Sequence, residues 1–355
     1  ITTTGGATTI FGIPSNGSAG MIAQVAGTGL AQTTQSAGSI NTSGMLGFGM
    51  VALNSGTGDA ITTQAGAVTT TGELAQGVYV SANAGNAVVN SSGTVSTAGK
   101  SAAGILAVAS NDITINQTGS IITTGIGSSV YLPVILAAAG ISSPDTGNAD
   151  GILAFSSEGN VTINSANINA AGDGIDGNTA EANMIITTTG TLTAGEEGID
   201  AAIDDEGLLT VNNGATLIAA GTGILASVDG GTSIINNTGS ITSNGSDGIN
   251  VTTVSDGSTI TNSGNITATT TDKYVIAGGD AIETVITTAG TLTGNTDLAA
   301  GNDSFTASGG ALVGNTLMGD GDDVATLTGT VDVTSAPQFD GGAGTDVLNV
   351  DGLTL

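Results

Sequence analysis

The chain has 355 residues, 30 of them acidic against two lysines, Lys100 and Lys273, and a formal charge of −28, with no Cys, His, Trp or Arg. Nothing in such a surface displaces counterions from phosphate, so nucleic acid is excluded as a partner. The missing residue types also exclude a disulfide framework, Ser-His-Asp or Cys-His catalysis and His/Cys metal centres. Hydrophobic residues make up 39% but aromatics only 2%, which points to a core of small aliphatic side chains rather than to disorder.

The first residues, ITTTGGATTI, lack the basic and apolar regions of a signal peptide. No stretch reaches about 18 apolar residues, so no membrane span is expected in this chain. From residue 36 onward a phrase of the type N-x-G-x-I recurs. Its small residue falls at Gly38, Gly66, Gly93, Gly119, Ala166, Gly190, Gly214, Gly239, Gly264 and Gly290, and eight of the nine intervals are 24 to 28 residues. An aliphatic follows two residues later at nine of the ten markers; the slip is Leu217, three after Gly214. A second phrase, of the type G-I-L-A, follows each time at Gly49, Gly77, Gly104, Gly151, Gly174, Gly198, Gly223 and Gly248.

Short apolar alternation bounded by Gly, Asn, Asp and Thr is strand chemistry. A strand of three to five residues forms no core alone, but it does when stacked on its copies. The expected fold is therefore all-β, a single right-handed parallel β-helix of about 25 residues per turn. The one long interval, 47 residues between Gly119 and Ala166, marks an inserted loop at about 125–148. Residues 1–290 read as one β-helix and residues 291–355 as continuing turns with Gly-Asp-rich corners. Asn90, Asn116, Asn164, Asn212, Asn237 and Asn262 recur two or three residues before the marker and are expected to stack as an amide ladder.

The densest acidic clusters are Glu196-Glu197 with Asp200 and Asp204-Asp205-Glu206. They read as solvated corners rather than as a glycosidase pair, because the eight aromatics are scattered and build no sugar platform. Near the end come three related phrases, Gly301-Asn302-Asp303, Gly319-Asp320-Gly321-Asp322-Asp323 and Gly341-Gly342-Ala343-Gly344-Thr345-Asp346. The last fits the calcium nonapeptide, but a calcium roll repeats every nine residues, whereas Asp303, Asp323 and Asp346 are 20 and 23 apart. That spacing predicts one Gly-Asp corner per turn, with Gly admitting positive φ and Asp bonding its own backbone two residues on. No cofactor is required. Asp303, Asp320, Asp323 and Asp346 are the residues that would share a weakly held Ca²⁺.

The N-x-G-x-I repeats followed by MGDGDDVATLTGT and FDGGAGTDVLNVDG resemble bacterial autotransporter passenger domains over nearly the whole chain. Asp320, Gly321, Asp323, Gly342, Gly344, Asp346, Leu348 and Val350 fall on that family's closing turns. The resemblance implies type V secretion and display at the bacterial cell surface. The aromatic-rich autochaperone segment, the barrel strands and any protease or lipase module are not in this chain, which leaves non-enzymatic roles. The expected function is an adhesin or structural stalk that binds a host or neighbouring-cell surface molecule through a face or through the insertion around Tyr131 to Asp145. The alternative is a self-associating extracellular filament or surface layer. A polysaccharide-degrading enzyme ranks below both. Ice binding ranks lowest, since the Thr runs sit at differing offsets in the repeat.

Overall fold

The computed structural model describes residues 2–4, 8–10, 13–127, 147–253, 256–335 and 337–353. The described structure is strand without helix, wound as a parallel β-solenoid of about 25 residues per turn. The chain divides into two compact units, Ile1–Glu181 with Thr193–Gly195, and Ala182–Leu192 with Glu196–Leu355. In both, each turn contributes one strand to each of three sheets.

In the first unit, sheet 1 stacks Ser39–Ser43, Ala67–Thr70, Thr94–Thr97, Ser120–Thr123 and Asn167–Ala170. Sheet 2 stacks Met21–Val25, Met50–Asn54, Val78–Ala82, Ile105–Ala109, Ile152–Ser156 and Ile175–Thr179. Sheet 3 stacks Ala31–Gln35, Ala60–Gln64, Ala87–Ser91, Ile113–Gln117 and Val161–Ser165. A short antiparallel pair, Thr8–Ile10 with Ile13–Ser15, precedes the repeats.

The second unit repeats the plan. Its sheet 1 holds Thr216–Ala219, Ser240–Ser243, Asn265–Ala268, Thr291–Thr293 and Ala311–Val313. Sheet 2 runs from Ile199–Ile203 through Ile224–Val228, Ile249–Thr253, Tyr274–Ala277, Asn295–Asp297 and Thr316–Leu317 to Phe339–Asp340. Sheet 3 runs from Met184–Thr188 through Leu208–Asn213, Thr232–Asn237, Ser258–Asn262, Glu283–Thr287, Ser304–Ala307 and Val324–Thr328 to Val347–Asp351.

Period-two alternation sends one set of side chains inward, where like sits on like. Ile40, Val68, Val95, Ile121 and Ile168 form one buried column; Leu217, Ile241, Ile266, Leu292 and Leu312 form its counterpart in the second unit. Each buried aliphatic of this size contributes about 1.5–3 kcal/mol relative to exposure. The marker glycines recur because the stack leaves no room for a side chain. A Cβ added at Gly66, Gly93 or Gly119 would run into the carbonyl oxygen of the marker one turn earlier. The same contact explains the slip at Leu217. Gly239 sits over Ala215, not Gly214, and Leu217 is two residues after Ala215 as the repeat requires.

The insertion leaves the winding around it undisturbed, with Ile105 paired to Ile152, Ile113 to Val161 and Ile121 to Ile168. At its base, Ala149 N–H donates to Gly125 O at 2.9 Å and Gly127 N–H to Asn148 Oδ1 at 2.6 Å. The expected projection of residues 125–148, and the binding surface around Tyr131 to Asp145, concern residues 128–146, which lie outside the described residues.

From Met50–Asn54 to Ile152–Ser156, sheet 2 of the first unit is largely buried on both sides, whereas Ile22 in Met21–Val25 is exposed. Val51, Tyr79, Leu106 and Leu153 alternate with the inward set, yet each is at most 5% exposed. They cluster with Leu46, Phe48, Leu74, Val108 and Phe155, and Phe48 and Tyr79 meet at 5.6 Å with rings tilted by 41°. Three of the eight aromatics that look scattered along the sequence, Phe48, Tyr79 and Phe155, are gathered here by the period. Burial pushes the Tyr79 hydroxyl up from its ordinary pKa, against a smaller opposing effect of its hydrogen bond to Ser81.

Candidate functional site: a buried carboxyl column

Inside the walls of sheet 3 the inward polar residues pair along the stack. In the first unit they are neutral: Ser91 Oγ donates to Gln64 Oε1 at 2.7 Å and Ser165 Oγ to Gln117 Oε1 at 3.0 Å. In the second unit an amide chain runs Asn213 Nδ2 to Asn237 Oδ1 at 2.8 Å and Asn237 Nδ2 to Asn262 Oδ1 at 2.7 Å, all three residues buried. A separate outward ladder joins Asn116 Nδ2 to Asn90 Oδ1 at 3.1 Å and Asn164 Nδ2 to Asn116 Oδ1 at 3.0 Å. Asn236 Nδ2 reaches Asn212 Oδ1 at 2.9 Å on the same side. The single asparagine ladder expected from sequence is therefore two ladders. Asn90, Asn116, Asn164 and Asn212 face out, while Asn237 and Asn262 face in, because a shift of one residue changes the face.

The start of each inward row in the second unit carries the chemistry. Ser233 and Ser258 occupy it first, with their hydroxyls 2.8 Å apart. The following turns place carboxyls there: Glu283 pairs with Ser258, and Asp303, Asp323 and Asp346 follow at 20, 20 and 23 residues. Glu283 N–H donates to Asp303 Oδ1 at 2.7 Å, Asp303 N–H to Asp323 Oδ1 at 2.7 Å, and Asp323 N–H to Asp346 Oδ1 at 3.2 Å. Thus Asp323 and Asp346 do share one corner of successive turns. The expected bond of each to its own backbone is replaced by a bond to the backbone one turn back. The stack favours this because the amide starting each strand points along the winding axis at the next carboxyl. Asp297, Asp332 and Asp340 do make the local bond, to the amides of Ala299, Thr334 and Gly342.

Glycine shapes the corner. Gly301, Gly321 and Gly344 have φ of 145°, 154° and 145°. A Cβ at Gly321 would overlap the carbonyl oxygen of Gly301, and one at Gly344 that of Gly321. Positive φ and close backbone approach together admit only glycine.

Burial sets the electrostatics. Glu283 is 0% exposed, and Asp303 and Asp323 are 1% exposed. Both carboxyl oxygens of Glu283, Asp303 Oδ2 and Asp323 Oδ2 have no hydrogen-bond partner of normal geometry. Desolvation, then the neighbouring Asp303 charge, push Glu283 up to about 8; the nearby Gly279 backbone opposes this in part, and Asp280 adds to it. Desolvation also lifts Asp303 to about 6, with Asp323 contributing and the bond from the Glu283 amide opposing.

Of the four residues proposed to share Ca²⁺, the fold brings Asp303, Asp323 and Asp346 into one column. Asp346 is exposed, and Asp320 lies three residues ahead of Asp323, exposed and held by its backbone between Ala299, Gly301 and Ala343. Calcium takes six to eight oxygens. The column offers the orphaned Oδ2 atoms of Asp303 and Asp323 beside Glu283. Among the described residues, no group of three or more acidic side chains is arranged to hold a metal. Glu283 itself escapes a search for acidic motifs. Its signal is phase: in Ile282-Glu283-Thr284-Val285-Ile286-Thr287 it alternates with Val285 and Thr287, both inward. The clusters at Glu196-Glu197 and Asp204-Asp205-Glu206 stand at corners, the latter three exposed and the former pair half-buried rather than solvated as expected.

The geometry defines a parallel β-solenoid with an internal acidic column. No family model matches the chain, and no curated protein or solved structure matches it significantly.

Proposed function

We propose that this chain is the β-helical part of a secreted bacterial surface protein of the autotransporter type, an adhesin or structural stalk that works by presenting a face rather than by catalysis. The observation that carries the reading is the distribution of charge. None of the described strands of sheet 1 contains a charged residue, although the chain carries −28. Outward positions there hold Ser, Thr, Asn, Ala and single aliphatics, such as Thr94, Ser120, Thr216 and Ser240. The acids sit at corners, on sheet 2 and, at Glu283 and Asp351, on sheet 3. A repeating, uncharged surface of hydroxyls and amides lets another neutral surface approach an otherwise strongly anionic molecule.

The test is adhesion of cells displaying the whole protein, comparing the native sequence with Thr94→Glu, Ser120→Glu and Thr216→Glu together. Loss of adhesion with an unchanged far-UV spectrum supports the reading. Unchanged adhesion means that the face is not the contact. The secretion route has its own check, a membrane β-barrel encoded downstream in the same gene.

A further inference from the structure

We propose that Glu283 and Asp303, stacked on Asp323, form a proton-holding column that locks the C-terminal turns of the second unit when they are protonated and loosens them when they are not. Three carboxyls occupy one buried position on consecutive turns, each nine-tenths or more buried, with four of their six oxygens unpartnered. Such a row cannot be ionised throughout without severe desolvation and like-charge repulsion. A protonated carboxyl supplies the O–H donor that its orphaned neighbour lacks, and the proton comes from solvent as the turn closes. The groups acting on Glu283 are Asp303, Asp280 and the Gly279 backbone. Those acting on Asp303 are the Glu283 amide and Asp323. Lys273, the only lysine of this unit, is not among them.

The sign follows from linkage. Glu283 rises from 4.5 to about 8 and Asp303 from 3.8 to about 6, so the folded state binds the extra protons. Their stabilising effect is complete below about pH 4 and is lost as pH rises through about 6 for Asp303 and about 8 for Glu283.

The experiment is reversible unfolding of the full chain between pH 5 and 9, in EDTA and in excess Ca²⁺, followed by hydrogen exchange of the segments spanning residues 283–328. In EDTA the opening constant of these segments, corrected for intrinsic exchange, should rise about tenfold per pH unit between pH 6 and 8. Glu283→Gln should flatten that slope; if this variant does not fold, Asp303→Asn should flatten the part below pH 6. An opening constant independent of pH overturns the proposal. So does a slope that Ca²⁺ abolishes while stabilising the segments, which would make the column a cation site instead.

Discussion

Two acidic ladders in this molecule use the same backbone device under opposite conditions. In the first unit, at the corner before sheet 3, Asn86 N–H donates to Asp59 Oδ1, Asp112 N–H to Asn86 Oδ1 and Asn160 N–H to Asp112 Oδ1, at 2.9, 3.2 and 2.9 Å. Acid and amide alternate, no carboxylate sits beside another, and the row is open to solvent. In the second unit Glu283, Asp303 and Asp323 follow one another without a neutral spacer and are enclosed. The contrast shows that a side-chain-to-next-turn bond satisfies one oxygen of each aspartate in either place, while neither oxygen of Glu283 has such a bond. What differs is the remaining oxygens, which lie at a solvent-accessible corner in the first ladder and are enclosed without a partner in the second.

The largest expected effect comes from the corner that encloses the acidic column. Gly321→Val should cost about 3 kcal/mol or more, because positive φ and overlap with the Gly301 carbonyl act together. Gly27→Ala, in the first unit, meets nothing within 4 Å and should change stability by less than about 0.5 kcal/mol. Denaturant unfolding of both variants checks this; equal losses would remove the close-packed corner from the account.

A smaller difference should separate the inner and outer amide ladders. Asn237→Ala strands buried partners on Asn213 and Asn262 and should cost about 2–3 kcal/mol. Asn116→Ala leaves Asn90 and Asn164 to water and should cost about 0.5–1 kcal/mol. Thermal melts of the pair order them; a larger loss for Asn116→Ala would reverse the assignment of faces.

A small effect is also expected of Asn86→Asp, which makes three consecutive acids in the solvent-accessible ladder. Its cost should stay below about 1 kcal/mol and shrink further in salt. A large, salt-independent loss would mean that the exposed ladder tolerates adjacent charge no better than the buried one.

Period and phase carried most of the fold. Recurrent glycines mark positions where one turn's backbone presses on the next, and inward aliphatics must recur at one offset, so both print a visible interval. Ala215 escaped because alanine there keeps the spacing while Gly214 beside it imitates the marker. The asparagines escaped because the offset to the marker does not fix the face: Asn164 and Asn237 both stand two residues before it, yet one faces out and the other in. The Gly-Asp corners were legible as stacked turns, since 20- and 23-residue spacing suits one acid per turn. Glu283 was not, because nothing about a single Glu announces burial unless its alternation with Val285 and Thr287 is followed. The apolar outer side of sheet 2, with Tyr79 and Phe155, breaks the rule that alternate residues face water, and no local pattern signals that exception.

The most direct test of the central claim is the titration of the glutamate side-chain carboxyls in the folded wild-type chain, observed by ¹³C NMR with labelled glutamate and assigned with Glu283→Gln. One carboxyl carbon, absent from the variant, should titrate near 8. If no glutamate carboxyl titrates near 8 while the chain remains folded, Glu283 holds no proton at neutral pH and the proposed column is contradicted.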